Sequence, residues 1–267
     1  MWEYNQTKTK TPVVILCGGR GTRLKEETEW RPKPMVSIGE RPILWHIMKI
    51  YASYGFTDFI LCLGYKGNII RDYFLNYDLK NSDIKVDLGS KEVTKLSEGH
   101  EADNWSVTLV DTGQESMTGG RLKIASKYIH SDTFCLTYGD GVANVDIEKL
   151  FKFHSQKVKW GTVTAVRPSS RYGELVINNG LAEAFTEKPQ TNEGWINGGF
   201  FVLNRKVIDL IQDDQTIWEQ EPLQKLAKVG ELAVYQHQGF WQSMDTYREM
   251  ELLNDLWNSG NAPWKVW

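Results

Sequence analysis

Apolar residues follow two rhythms along this chain: short β-branched runs, and stretches in which apolar positions recur every three or four residues. The first run, residues 12–17, carries Val13, Val14, Ile15, Leu16 and Cys17 and stops abruptly at Gly18-Gly19-Arg20-Gly21. Ile43, Ile47, Ile50 and Tyr54 then repeat at helical spacing. Pro42 suits the first turn of that helix, where its missing N–H costs nothing, and Gly55 supplies the stop. Asp58 to Leu63 reads as the next strand and Gly64-Tyr65-Lys66-Gly67 as its turn. Ile69, Ile70, Tyr73 and Phe74 mark the apolar face of a second helix. This alternation predicts a parallel sheet with right-handed crossovers, whose ligands gather at the carboxyl ends of the strands.

Residues 77–104 break the rhythm. They are polar and weakly periodic, which predicts an insertion or an excursion at the sheet edge whose role is not legible locally. A strand from Trp105 to Asp111 restores the pattern, and Thr118-Gly119-Gly120-Arg121 opens a helix carrying Leu122, Ala125 and Ile129. Phe134 to Tyr138 is a strand ending at Gly139-Asp140-Gly141, and Asp146 begins another helix. Past residue 158 the chain is β-richer, with strand-like runs at Thr162 to Val166, Glu174 to Ile177, Ile196 to Leu203 and Glu231 to His237. Asn178-Asn179-Gly180 is a hairpin turn signal. The last helix opens at Thr246-Tyr247-Arg248-Glu249, which has capping-box spacing, and buries Met250, Leu253 and Trp257. The expected fold class is α/β: a Rossmann-like, mixed, mainly parallel sheet flanked by helices. Residues 1–11 read as an extension and 12–267 as one domain, its halves being about 12–157 and a β-rich 158–267.

Composition narrows the function classes. A 267-residue chain with 41% hydrophobic and 24% charged residues can bury a full core, and its formal net charge of −3 argues against a general nucleic-acid or anionic-membrane binder. The local balance differs between residues 20 and 33, where Arg20, Arg23, Lys25, Arg31 and Lys33 stand against Glu26, Glu27 and Glu29. Cys17, Cys62 and Cys135 sit at or near the ends of apolar runs and read as buried free thiols of a reducing compartment. Residues 1–10 lack the apolar core of a signal peptide, and no apolar run approaches the ~18 residues of a membrane span. A soluble cytoplasmic protein is therefore expected.

The glycine loop is the first chemical signal. A buried strand that ends in glycines, Thr22 and Arg23 can bring backbone N–H groups close to a phosphate. It is not a dinucleotide fingerprint, because Leu24 stands where the third glycine belongs, and no Gly-Lys-Ser/Thr follows to make a P-loop. Lys33, held between Pro32 and Pro34, has a restricted backbone that suits a fixed point charge. Asp140, bracketed by Gly139 and Gly141, and Asp245, just before the capping Thr246, are carboxylates at strand or loop ends. Each could be an ordinary turn or helix-start aspartate. Beside a phosphate loop, the two together fit an Mg²⁺ site that leaves its other positions to phosphates and water. Glu187-Lys188-Pro189 and Asn197-Gly198-Gly199 are weaker signals from the β-rich half. No histidine stands at metal-ligand spacing, and no Gly-x-Ser-x-Gly elbow or nucleophilic cysteine signature is present.

Together these motifs resemble the sugar-nucleotide nucleotidyltransferases, the sugar-1-phosphate pyrophosphorylases. Leu16-Cys17-Gly18-Gly19-Arg20-Gly21-Thr22-Arg23-Leu24, Pro32-Lys33-Pro34, Gly139-Asp140-Gly141, Glu187-Lys188-Pro189 and Asn197-Gly198-Gly199 follow the family's order over nearly the whole chain. Cys17 replaces the family's more usual alanine, a small-for-small change. Glu26-Glu27-Thr28, Trp218-Glu219-Gln220-Glu221-Pro222-Leu223 and Met244-Asp245-Thr246 are similar to its cytidylyl branch. The resemblance implies transfer of the cytidylyl group of CTP to glucose 1-phosphate, with Mg²⁺ as cofactor. It implies that Leu16, Cys17, Gly18, Gly19, Arg20, Gly21, Thr22, Arg23, Lys33, Ser116, Arg121 and Gly139 bind nucleotide. Arg23, Lys33 and Asp140 would be catalytic, Asp140 and Asp245 would hold the metal, and Glu187, Lys188, Asn197 and Gly198 would bind the sugar phosphate. A thymidylyl- or uridylyltransferase and a non-catalytic nucleotide sensor are the alternatives. A homo-oligomer, trimer or hexamer, is also implied, with 77–104 and the tail ending in Trp264 and Trp267 as contact surfaces.

Overall fold

The computed structural model describes residues 11–97, 104–168, 174–178, 181–186 and 194–267. In chain order its strands are β1 (Val13–Leu16), β2 (Ser37–Ile38), β3 (Arg41–Pro42), β4 (Asp58–Leu63), β5 (Ile84–Asp87), β6 (Glu92–Lys95), β7 (Ser106–Asp111) and β8 (Thr133–Tyr138). There follow β9 (Gly141–Ala143), β10 (Gly161–Val166), β11 (Glu174–Asn178), β12 (Leu181–Thr186), β13 (Ile196–Asn197), β14 (Phe201–Asn204), β15 (Leu232–Gln236) and β16 (Trp241–Ser243).

The main sheet has eight strands. Four parallel strands, β8, β1, β4 and β7, form one side, as the strand–helix alternation predicts. β14 joins antiparallel to β8, and β10 joins antiparallel to β14, so the β-rich half extends the same sheet. β15 closes the edge parallel to β10. β1 is buried along its length because it lies between β8 and β4 and has helices on both faces. Val13 and Ile15 point into a cluster with Ile43, Ile47 and Ile50 of the helix Ile43–Ser53. Val14 and Leu16 point the other way, onto Leu122 and Ala125 of the helix Thr118–Ala125. The site is set by this register: Leu16 lies beside Cys62 on one neighbour and Tyr138 on the other, so three strands release their loops at one level.

Some expectations need correction. Pro42 is extended, with ψ at 149°, and stands just outside the helix it was expected to begin within. The 77–104 stretch holds a short helix, Tyr77–Lys80, and the hairpin of β5 and β6. The run from Ile196 to Leu203 is two strands, interrupted where Gly199 and Phe200 both take positive φ. The helix Glu221–Lys228, with Pro222 in its first turn, has no counterpart in the periodicity reading. Trp264 is no surface residue: it is fully buried and, with Trp257, packs its ring against His46. No helix among the described residues is long and apolar enough to cross a membrane.

Candidate active site

A cleft of about 340 Å³ opens at the carboxyl ends of β1, β7 and β8. Leu16, Cys17, Gly18, Gly19, Gly21, Thr22, Arg23, Lys33, Ser116, Arg121, Gly139 and Asp140 all line it, so the expected phosphate loop and the first carboxylate share one cavity. Arg20 stands outside that lining and is exposed; its guanidinium pairs with Glu115 across the rim.

The glycine loop has its shape for two physical reasons. A Cβ on Gly18 would lie 2.2 Å from the Arg121 guanidinium carbon, and Gly21 takes φ of +62°, a region that disfavours side chains. Arg121 is buried and acts as a bracket. Its Nη2 donates to the carbonyl oxygens of Gly18 and Gln114, both at 3.1 Å, while Nη1 donates to Thr112 Oγ1 at 2.8 Å and to the Gly113 carbonyl at 2.6 Å. One side chain thus ties the loop after β1 to the loop after β7. Cys17 is buried, and burial pushes its thiol well above the ordinary range, so it is no nucleophile.

Lys33 lies in a 3₁₀ turn, Lys33–Met35, closed by hydrogen bonds from Met35 N to the Pro32 carbonyl and from Val36 N to the Lys33 carbonyl. The turn buries the lysine stem and aims Nζ at two carboxylates: Asp140 Oδ2 at 2.6 Å and Asp245 Oδ1 at 2.5 Å. Asp245 reaches Asp140 because β16 pairs antiparallel with β9 and Met244 N donates to the Asp140 carbonyl. Arg23 adds a second cation 2.9 Å from Asp245. Burial alone would lower the Lys33 pKa, but the two carboxylates outweigh it and raise it. Burial would raise that of Asp245, and Lys33 and Arg23 outweigh it and hold the carboxyl below its usual value.

This pair of carboxylates fits a divalent cation. Both converge on a single positively charged atom, and no cluster of three metal-ligating side chains exists among the described residues, so phosphates and water would complete the shell of a hard cation such as Mg²⁺.

The residues expected to bind the sugar phosphate are only partly among the described ones. Glu187 and Lys188 lie outside the described residues. Asn197 donates from Nδ2 to the Tyr138 hydroxyl at 3.0 Å, and the Gly198 carbonyl accepts from Trp241 Nε1 at 2.8 Å. Tyr138 and Thr118, which also line the cleft, escaped the sequence reading, as did Glu219, which accepts hydrogen bonds from both. Tyr138 had one usable signal, its place directly before Gly139-Asp140; Glu219 had none beyond its branch-like neighbourhood.

Residues 12–247 match the model of the family described as "Nucleotidyl transferase". The chain belongs to the nucleotidyl transferase family. A glucose-1-phosphate cytidylyltransferase of Salmonella typhimurium is 53% identical over 96% of this chain and 99% of its own length. A probable glucose-1-phosphate cytidylyltransferase of Bacillus subtilis is 48% identical over 96% of this chain and 99% of its own. Among solved structures, HddC from Yersinia pseudotuberculosis superposes with a TM-score of 0.69 at 25% identity, covering 92% of this chain and 99% of that one. Within this nucleotidyl transferase the strand-end cleft is therefore the place to seek the chemistry.

Proposed function

We propose that this enzyme transfers the cytidylyl group of CTP to α-D-glucose 1-phosphate, giving CDP-D-glucose and pyrophosphate. The observation that carries this reading is the 53% identity to a glucose-1-phosphate cytidylyltransferase across 99% of that protein's length. The cleft supports it by gathering Arg23, Lys33, Asp140 and Asp245 from four separate parts of the chain.

A phosphate oxygen of the sugar phosphate attacks the α-phosphorus of CTP in line. The bond from that phosphorus to the bridging oxygen breaks, and pyrophosphate leaves with the electron pair. Catalysis of this kind rests on positioning and charge neutralisation rather than on a protein nucleophile. The Gly18–Gly21 backbone and Thr22 receive the triphosphate, with Arg23 against its β and γ groups. Lys33 steadies the α-phosphate as negative charge develops there. Ser116, Arg121 and Gly139 contact the nucleotide, and Glu187, Lys188, Asn197 and Gly198 receive the sugar phosphate. Asp140 and Asp245 would hold Mg²⁺, which when bound supplies charge neutralisation to the triphosphate.

The same reading carries a homo-oligomer, since β5 and β6 expose Ile84, Val86 and Val93, with Leu88 in the turn between them. Light scattering should then give a mass that is a multiple of 30.7 kDa, and a mass of one chain would refute it. Incubation with α-labelled CTP and glucose 1-phosphate should place the label in CDP-glucose and leave none on the protein. Labelled protein would replace direct displacement by a covalent route.

A further inference from the structure

Glu219 has no role in the mechanism above, yet it is the hub of the cleft's polar network. Its Oε1 accepts from the Tyr138 hydroxyl at 2.7 Å, and its Oε2 accepts from Thr118 Oγ1 at 2.6 Å. The hub is itself fixed in place. The Trp218 backbone N–H donates to Thr118 Oγ1 at 2.9 Å, and the fully buried Trp218 ring packs edge-on to Phe201. The Met117 N–H donates to the Asp214 carbonyl, and the Gly119 and Gly120 N–H groups donate to that of Thr216. These bonds clamp the 214–219 segment onto the start of the helix Thr118–Ala125. The same N–H groups are thereby withdrawn from any anion in the cleft.

The direction of each hydrogen bond has a consequence on the sugar side. The Tyr138 hydroxyl donates to Glu219 Oε1, so its one proton is committed there. The Tyr138 oxygen is then free only to accept, and Asn197 donates to it from Nδ2 at 3.0 Å. Gly199 N–H donates to Asn197 Oδ1 at 2.9 Å, so both ends of the amide are assigned. The loop this amide holds is strained: Gly199 has φ of +77° and Phe200, a non-glycine, has φ of +46°. Asn197 itself is exposed, with a second Nδ2 proton for a ligand hydroxyl or phosphate.

We propose that Glu219 is a positioning residue for the sugar phosphate, acting through the Tyr138 hydroxyl to orient the Asn197 amide and the loop that follows it. Thr118, Tyr138 and Asn197 come from three different elements and Glu219 from the turn before the helix Glu221–Lys228, so the network also ties the nucleotide side of the cleft to the sugar side. The proposal rests on the CDP-glucose reading of this site.

The test is steady-state kinetics of the full-length protein with CTP, Mg²⁺ and glucose 1-phosphate. Glu219→Ala should raise KM for glucose 1-phosphate about tenfold and leave KM for CTP within about twofold. Tyr138→Phe removes the relay at its next step and should give the same split. The double variant should be no worse than either single one, because both cut the same chain. Glu219→Gln keeps one carbonyl acceptor and should recover part of the loss. A general structural role would raise both KM values together, and independent roles would make the double variant about a hundredfold worse; either result overturns the proposal. An unchanged KM for glucose 1-phosphate in Tyr138→Phe overturns it even if Glu219→Ala does not fold. Failure of the unaltered protein to make CDP-glucose would remove the underlying reading as well, whereas normal wild-type turnover with unsplit variants would sink only this inference.

Discussion

Lys33 is the residue on which the charge balance of the cleft turns. Two carboxylates brought to one point in a half-buried cleft repel each other unless a cation joins them, and Lys33 Nζ stands within 2.6 Å of both. Lys33→Ala should lower kcat by roughly 10²–10³, the scale for losing one preorganised transition-state contact; unchanged turnover would remove it from the mechanism. Asp140→Asn should abolish metal-dependent turnover with an unaltered circular dichroism spectrum, and retained activity would contradict its role toward the metal. Far from the cleft, His46 makes a separate prediction. Its Nε2 faces the Ile38 carbonyl at 3.0 Å and its Nδ1 accepts from Trp264 Nε1 at 3.4 Å, an arrangement open only to the neutral ring. Burial lowers its pKa to about 4. The unfolded chain, with an ordinary histidine pKa near 6.5, therefore binds more protons between those values, and stability falls as pH drops through that window. Urea denaturation at pH 7 and pH 5 should show a loss of about 2 kcal/mol that the His46→Asn variant lacks; equal losses in both proteins would refute the assignment. Lys33 was legible in the sequence because its flanking prolines restrict its backbone. Glu219 was not, because its meaning depends on a tyrosine 81 residues away.

At the scale of elements, the parallel strands and their crossover helices could be read directly, since each is a run with a clear period, and β1, β4 and β8 run out into glycines. The failures share one physical cause: an element whose residues are chosen by a distant partner carries no period of its own. β9 and β16 are three residues each and exist because they pair with one another, yet that pairing is what carries Asp245 to Asp140. β13 and β14 looked like one strand because the sequence does not show that Phe200 adopts positive φ. The glycine loop carries a prediction at this scale. A methyl on Gly18 would meet a guanidinium that five oxygen acceptors hold in place, so neither partner can yield cheaply. Gly18→Ala should weaken CTP binding at least about tenfold by calorimetry and lower the melting temperature. Wild-type affinity would show that the loop and its arginine bracket can separate without consequence.

For the whole molecule, the central fact is that one sheet serves both halves. β14, from the β-rich half, lies directly against β8, the strand that delivers Asp140. On the function proposed above, nucleotide and sugar loops would thereby be held on a common scaffold, as an in-line displacement between two bound substrates requires. The architecture and the cleft's position followed from strand–helix alternation. The choice of base did not, because the hydrogen bonds that read a base edge leave no period in the sequence to mark them. The most direct test is pyrophosphate release with glucose 1-phosphate and Mg²⁺ as CTP, UTP, dTTP and ATP are offered in turn. The expected result is a kcat/KM for CTP at least about tenfold above each of the others. Equal or faster release with UTP or dTTP would contradict the cytidylyl assignment, and no release with any of the four would contradict catalysis itself.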